Sequence, residues 1–263
     1  MASSFDFSGK VCVVSGGASG LGEGVIRKLA FSAAHVFIAD LNLTAAEALA
    51  EELRADGKRA HAVFLDCTKP ETIRRAVQDI LKQVPKIDCL VNSMGIGAKA
   101  REGESFSDTY NRVMAVNLGG IFNSCHVFVE EMIKTGGGTV VNIASQAATI
   151  VPAKTRPGRG GEYGLIGYCT SKAGVKHMTR AMATLWAAYG IRANSVSPGY
   201  VDTPLTAEPH SDPVIRADMI SKVPLKRIAS PDDIAGTVAF LLSDESSYLT
   251  AQDIIVDGGY TAL

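Results

Sequence analysis

The sequence predicts an α/β fold, a parallel sheet with helices on both faces, and three observations predict it. Short apolar runs alternate with longer segments of helical composition. The first apolar run leads into a glycine-rich turn and then a helix pattern. No internal repeat or Pro/Ser linker divides the 263 residues, so the chain reads as one domain, 1–263. Strands separated by helices pair in parallel, because a parallel connection needs a crossover long enough to hold a helix.

In chain order the apolar runs are Val11–Val14, Val36–Ala39, Ala60–Leu65, Cys89–Val91 and Thr139–Ala144. Thr44-Ala45-Ala46-Glu47 and Thr68-Lys69-Pro70-Glu71 read as capping boxes, in which hydroxyl and carboxylate satisfy free backbone donors at a helix start. Ser230-Pro231-Asp232-Asp233 opens a further helix with proline in its first turn. Two segments break the rhythm. Pro152–Gly164 is rich in Gly and Pro, carries Lys154, Arg156 and Arg159, and reads as a loop. Pro204–Pro224 holds four prolines around a short helix near Val214–Ile220, the composition of a lid.

A net charge of −1, with 20% charged and 46% hydrophobic residues, describes a globular chain. No basic block suggests nucleic acid. No apolar run approaches the roughly 18 residues of a membrane span, and Val11–Val14 is too short for a signal-peptide core. The five cysteines are odd in number, form no Cys-x-x-Cys and lie mostly in apolar runs. Reduced thiols and a cytoplasmic location are expected. Cys169, beside Tyr168, is the one with a conceivable reactive role. No His/Cys cluster has metal-ligand spacing, so no metal is expected.

After the first run comes Ser15-Gly16-Gly17-Ala18-Ser19-Gly20-Leu21-Gly22. Gly16, Gly20 and Gly22 allow a tight turn and close approach of a pyrophosphate to the N-terminus of the next helix. The spacing is Gly-x-x-x-Gly-x-Gly rather than Gly-x-Gly-x-x-Gly. Asp40 ends the second run, where an acid can bind both ribose hydroxyls and repel the extra phosphate of NADP. No Lys or Arg occurs in residues 15–22, so NAD is expected. The plainer alternative is that Asp40 caps the turn before Asn42. Asp66, after the third run, could accept from an adenine amino group, and Asn92-Ser93-Met94-Gly95 lies where the chain must bend under the cofactor. Either could also be ordinary turn chemistry.

Tyr168 and Lys172 stand four apart at the start of a helix pattern, hence on one face. A fixed ammonium beside a phenol favours the phenolate, lowering a pKa normally near ~10 by roughly 1–3 units. That would suit Tyr168 to exchange a proton with a substrate hydroxyl. The alternative is an exposed pair on a solvated helix face.

These residues, in order, resemble the short-chain dehydrogenase/reductase family over Lys10–Gly259. The pattern is Gly16/Gly20/Gly22, Asn92-Ser93-Met94-Gly95, Asn117, Ser145, Tyr168/Lys172 and Pro198-Gly199. The resemblance implies a Rossmann-like, doubly wound, seven-stranded parallel sheet in the order 3-2-1-4-5-6-7. It implies that Tyr168 is the general acid/base and Lys172 its activator and ribose anchor. Ser145 would orient the substrate oxygen, and Asn117 would support a proton relay. Ser19, Leu21, Leu41 and Cys67 would join the dinucleotide site, with Val201 and Thr203 beside the nicotinamide. Ile255–Gly259 resembles the family's last strand. A homotetramer is implied through the helices near Asp108–Lys134 and Gly167–Tyr189 and the last strand.

Ser93 and Met94 replace the family's usual Asn-Ala, and Ser15 its usual Thr. Ser145 and Tyr168 are separated by roughly ten residues more than is common, an insertion of loop character at 153–162 that reads equally as a pocket wall or a solvent loop. Substrate contacts are expected from Ile96, Ser145, Ala147, Tyr168, Tyr200 and Leu205, beneath a lid at 204–224. Ile96, Ala147, Ile150, Val151 and Leu205 lean apolar and suggest a neutral secondary alcohol or ketone. Lys154, Arg156 or Arg159 could instead pair a substrate carboxylate, an exposed basic loop being the plainer reading. The alternative from another class is a catalytically silent nucleotide-sensing protein of the same fold. Enoyl reduction is discounted, because Leu165 stands seven before Lys172 where that chemistry would want Tyr.

Overall fold

The computed structural model describes residues 5–97, 99–151 and 161–263. The expected loop at 153–162 lies outside the described residues up to 160, and with it Lys154, Arg156 and Arg159. The elements run β1 Val11–Ser15, α1 Gly20–Ala30, β2 His35–Asp40, α2 Leu43–Ala55, β3 Arg59–Phe64, α3 Pro70–Leu81, β4 Cys89–Asn92 and α4 Phe106–Met114. They continue with α5 Ile121–Lys134, β5 Gly138–Ile143, α6 Gly161–Trp186, β6 Ile191–Pro198, α7 Ala207–Ser211, α8 Pro213–Lys222, α9 Pro231–Leu242 and β7 Asp253–Val256.

The strands form one seven-stranded sheet in the order β3-β2-β1-β4-β5-β6-β7. All pairs are parallel, with Cys12 of β1 opposite Val36 on one side and Cys89 on the other. Every residue of β1 and β4 is buried, as a sheet covered on both faces requires. One apolar core joins Ile73, Phe128 and Val175 of α3, α5 and α6 to that face. A second joins Ile26, Leu53 and Val238 of α1, α2 and α9 to the other. Phe106–Lys134 is long and apolar enough to cross a bilayer, but half of it is buried within the fold, the pattern of a core helix.

Two cap readings are corrected. The cap of α2 is Asn42, whose side chain accepts from the Ala45 N–H, because the turn after β2 starts the helix before Thr44 can serve. α3 starts at Pro70 with no side-chain cap, and Thr68 instead donates to Asp66. The helix expected at Ser230–Asp233 does open there, as α9 with Pro231 in its first turn, and Ser230 and Asp233 form a capping box on it. β6 has no counterpart among the apolar runs because Arg192, Asn194, Ser195 and Ser197 interrupt it. Asn194 and Ser197 are fully buried, with their polar atoms bonded to Leu249 and Asp253. The parallel arrangement carries the ends of β1, β2, β4, β5 and β6 to one edge, where a cleft forms.

Candidate active site

The cleft begins at the glycine turn. Gly16 has φ of +74°, and a Cβ there would stand 2.6 Å from the Met94 backbone nitrogen. A Cβ on Gly22 would collide with the Gly16 carbonyl, so this glycine closes the turn on itself rather than facing the cleft. α1 has no side-chain cap, and its Ser19–Leu21 start lines the cleft. Uncapped helix N–H groups are suited to an anion.

The larger part of the cleft, about 480 Å³, is lined by Gly16, Ser19, Gly20, Leu21, Asp40 and Leu41. Asp66, Cys67, Gly95, Ile96, Thr203 and Leu205 also line it. Asp40 accepts from the Ala18 N–H at 3.0 Å and the Asn42 N–H at 2.9 Å, so it caps the turn as the plainer alternative has it, and it also lines the cleft. The Asp66 carboxylate accepts from Thr68 twice and pairs with Lys69 at 3.3 Å.

A second compartment of about 100 Å³ continues from the first, sharing Leu21, Gly95, Thr203 and Leu205 with it. Ser145, Tyr168, Lys172, Pro198, Gly199 and Val201 line it. Ser145 lies two residues beyond β5; its hydroxyl accepts from the Ala147 N–H and hydrogen-bonds the Tyr168 phenol. Lys172 is 4% exposed and donates to the Ile143 carbonyl at 2.9 Å, with its nitrogen 5.8 Å from the centre of the Tyr168 ring.

The expected depression of the Tyr168 pKa is corrected here. Burial raises it, and the Ser145 hydrogen bond only partly opposes that. Burial lowers Lys172 to about 8, and its ammonium is turned to a carbonyl rather than to the phenol oxygen.

Three further expectations are corrected. The Asn92 amide does not reach the cleft: it donates to Asn142 at 2.8 Å and to Cys125 at 3.2 Å inside the sheet, where a buried amide must find partners. Ala147 is buried outside both compartments. Tyr200 also lies outside them and packs edge-on to Tyr260. Asn117, in a π-helical segment Ala115–Gly120, accepts from the Ile96 N–H at 2.8 Å and donates to its carbonyl at 3.0 Å. It thereby fixes the loop after β4, and a Cβ on Gly95 would lie within 3.6 Å of both the Asn117 side chain and the Lys172 nitrogen.

The segment 204–224, expected as a lid, borders the cleft through Pro204 and Leu205. Thr203 and Pro204 abut Gly20, Leu205 reaches Gly97, and Lys99 pairs with Glu208 at 2.9 Å. Asp202 takes a two-pronged bond from Arg216 and a contact from His210 at 2.7 Å, tying α7 and α8 to the end of β6. Arg101, Arg112, Val116 and Thr68 also line the cleft and were not anticipated. A helical count of four back from Val116 reaches Arg112, but nothing local marks Arg101.

A family model described as enoyl-(acyl carrier protein) reductase matches residues 16–261. D-Threitol dehydrogenase of Mycolicibacterium smegmatis is 36% identical, over 98% of this chain and 95% of that one. NAD-dependent glycerol dehydrogenase of Listeria innocua is 34% identical, over 98% and 96%. The crystal structure of a gluconate 5-dehydrogenase from Burkholderia cenocepacia, in complex with NADP and tartrate, superposes with a TM-score of 0.88 at 30% identity, over 100% and 99%. The chain belongs to the short-chain dehydrogenase/reductase family. The family is one of oxidoreductases that bind a nicotinamide cofactor. The uncapped start of α1, the glycine turn and the two joined compartments fit such a dinucleotide.

Proposed function

We propose that this protein is an NAD-dependent short-chain dehydrogenase or ketoreductase acting on a neutral secondary alcohol or its ketone, with Tyr168 as general acid/base. The observation that carries the reading is the convergence of Ser145, Tyr168 and Lys172 on one compartment that opens into the Asp40 end of the cleft. Gly16, Ser19, Gly20 and Leu21 would hold the pyrophosphate, Asp40 the adenosine ribose, and Lys172 the nicotinamide ribose. When bound, the nicotinamide supplies or accepts the hydride. Tyr168 then takes the substrate hydroxyl proton in oxidation and returns it in reduction. Ser145 and Tyr168 together grip the substrate oxygen and stabilise its developing charge. Lys172 keeps a positive charge beside them below its pKa of about 8.

Asp40 supports NAD over NADP, because a 2′-phosphate there would face a carboxylate. The threitol and glycerol relatives support a neutral alcohol. The intact Ser145–Tyr168–Lys172 set argues against a silent nucleotide sensor, and the short Tyr–Lys spacing argues against enoyl reduction. Five free thiols support a reducing, cytoplasmic setting. An open apolar groove lined by Met114, Leu118, Phe122 and Met178 of the α4–α6 face supports self-association, which we take as a homotetramer.

The test is Tyr168→Phe, assayed with a panel of secondary alcohols and by NADH titration. Turnover should fall by about 10²–10⁴-fold with NADH affinity retained. Near-normal turnover would reject the assignment.

A further inference from the structure

Arg101 lines the large compartment of the cleft, in the loop between β4 and α4. Among the described residues its guanidinium makes no hydrogen bond and no ion pair, whereas the other arginine of the cleft wall is spent. Arg112 grips Glu104 through two bonds of 2.6 and 2.7 Å and also donates to the Lys99 carbonyl at 3.0 Å. Glu104 in turn accepts from the Arg101 backbone N–H at 2.9 Å. The half-buried Arg112–Glu104 pair thus fixes the backbone on both sides of residue 100 and leaves the Arg101 side chain free over the cleft.

The charge balance of the cleft gives that cation a purpose. Asp40 and Asp66 both line the compartment; Asp66 is paired with Lys69 and Arg112 with Glu104, whereas Asp40 accepts only backbone N–H groups. The glycine turn supplies N–H dipoles but no cation, since residues 15–22 contain no Lys or Arg. A dianionic diphosphate placed on that turn would share the compartment with the Asp40 carboxylate and receive no full positive charge from the turn itself.

We propose that Arg101, from the loop between β4 and α4, pairs with the diphosphate of the bound dinucleotide. Resting on the dinucleotide reading above, this makes the β4–α4 loop a second, charged jaw of the cofactor site. A guanidinium can take two phosphate oxygens at once, which a lysine at that position cannot reproduce.

The experiment titrates NADH, NADPH, ADP and adenosine into the wild-type protein, Arg101→Met and Arg101→Lys, at low and high salt. Arg101→Met should weaken NADH and ADP about tenfold and leave adenosine unchanged, with a flatter salt dependence than wild type. Arg101→Lys should fall between the two. Equal weakening of adenosine would place Arg101 on the base and overturn the proposal. A loss confined to NADPH would place it at a 2′-phosphate, with the same result. Wild-type NADH binding that Arg101→Met leaves intact defeats this inference alone. Failure of the wild-type protein to bind NADH defeats the dinucleotide reading as well.

Discussion

The phenol of Tyr168 is held in its un-ionised form by burial, with the Ser145 hydroxyl as the one contact that favours ionisation. The neighbouring amine does not reverse this. Lys172 is desolvated and bonded to a main-chain carbonyl, so its charge is spent locally. The free protein therefore keeps a protonated tyrosine beside a serine hydroxyl. In the proposed function Asp40 carries the choice of cofactor at the same scale. Its two oxygens accept backbone N–H groups from the glycine turn and the α2 entry, which holds the carboxylate at the rim. Asp40→Ala should raise the KM for NAD about 10–100-fold, the cost of hydrogen bonds to a charged group. It should also narrow the gap between NAD and NADP. Steady-state KM values for both dinucleotides check this, and an unchanged ratio would remove Asp40 from discrimination.

Among the elements, α7 and α8 of the segment expected as a lid are placed by a few bonds. α7 and α8 are short, and α8 buries none of its residues, so apolar packing holds it weakly. The attachment is Asp202, with Arg216 and His210 converging on it. The Arg216 guanidinium is the main cause holding this carboxyl down to about 2. A depressed carboxylate contributes above its unfolded value of 3.8 and loses that contribution only as pH falls toward 2, so the latch stays closed through neutral pH. Asp202→Asn keeps the shape and removes the charge. It should raise substrate KM about 2–10-fold with a smaller change in kcat, a modest effect because the pair is partly exposed. Limited proteolysis should cut 204–224 faster in the variant. Identical cleavage and KM would show that the latch does not govern the lid.

For the whole molecule, one source of acid sensitivity in stability lies far from the cleft. His35 and His61 stand with ring centres 4.9 Å apart across β2 and β3, and both stack on Phe37. Burial pushes both imidazoles below their ordinary value of 6.5, with His61 adding to the shift of His35. The unfolded chain then binds protons more readily than the folded one just below that value. The slope has one sign: stability is lost as pH falls through that window. Melting temperature should drop between about pH 7 and 5, and His61→Asn should flatten the drop. An identical profile in the variant would place the acid sensitivity elsewhere.

The alternation of apolar runs and helix patterns, the glycine turn, Asp40 and the Tyr168–Lys172 pair are local features, so the sequence alone determined the sheet class, the strand order implied by resemblance and the ingredients of a dinucleotide site. β6 was hidden because its polar residues find their partners on β7 and on the segment after α9, which no local pattern records. Asn92 looked like a cleft residue from its motif, but only the packed sheet shows its amide committed to Asn142 and Cys125. The protonation bias of Tyr168, the latch on Asp202 and the free guanidinium of Arg101 were likewise decided by tertiary structure. Each depends on burial or on partners distant along the chain, and desolvation and pairing are properties of a folded environment rather than of residue type.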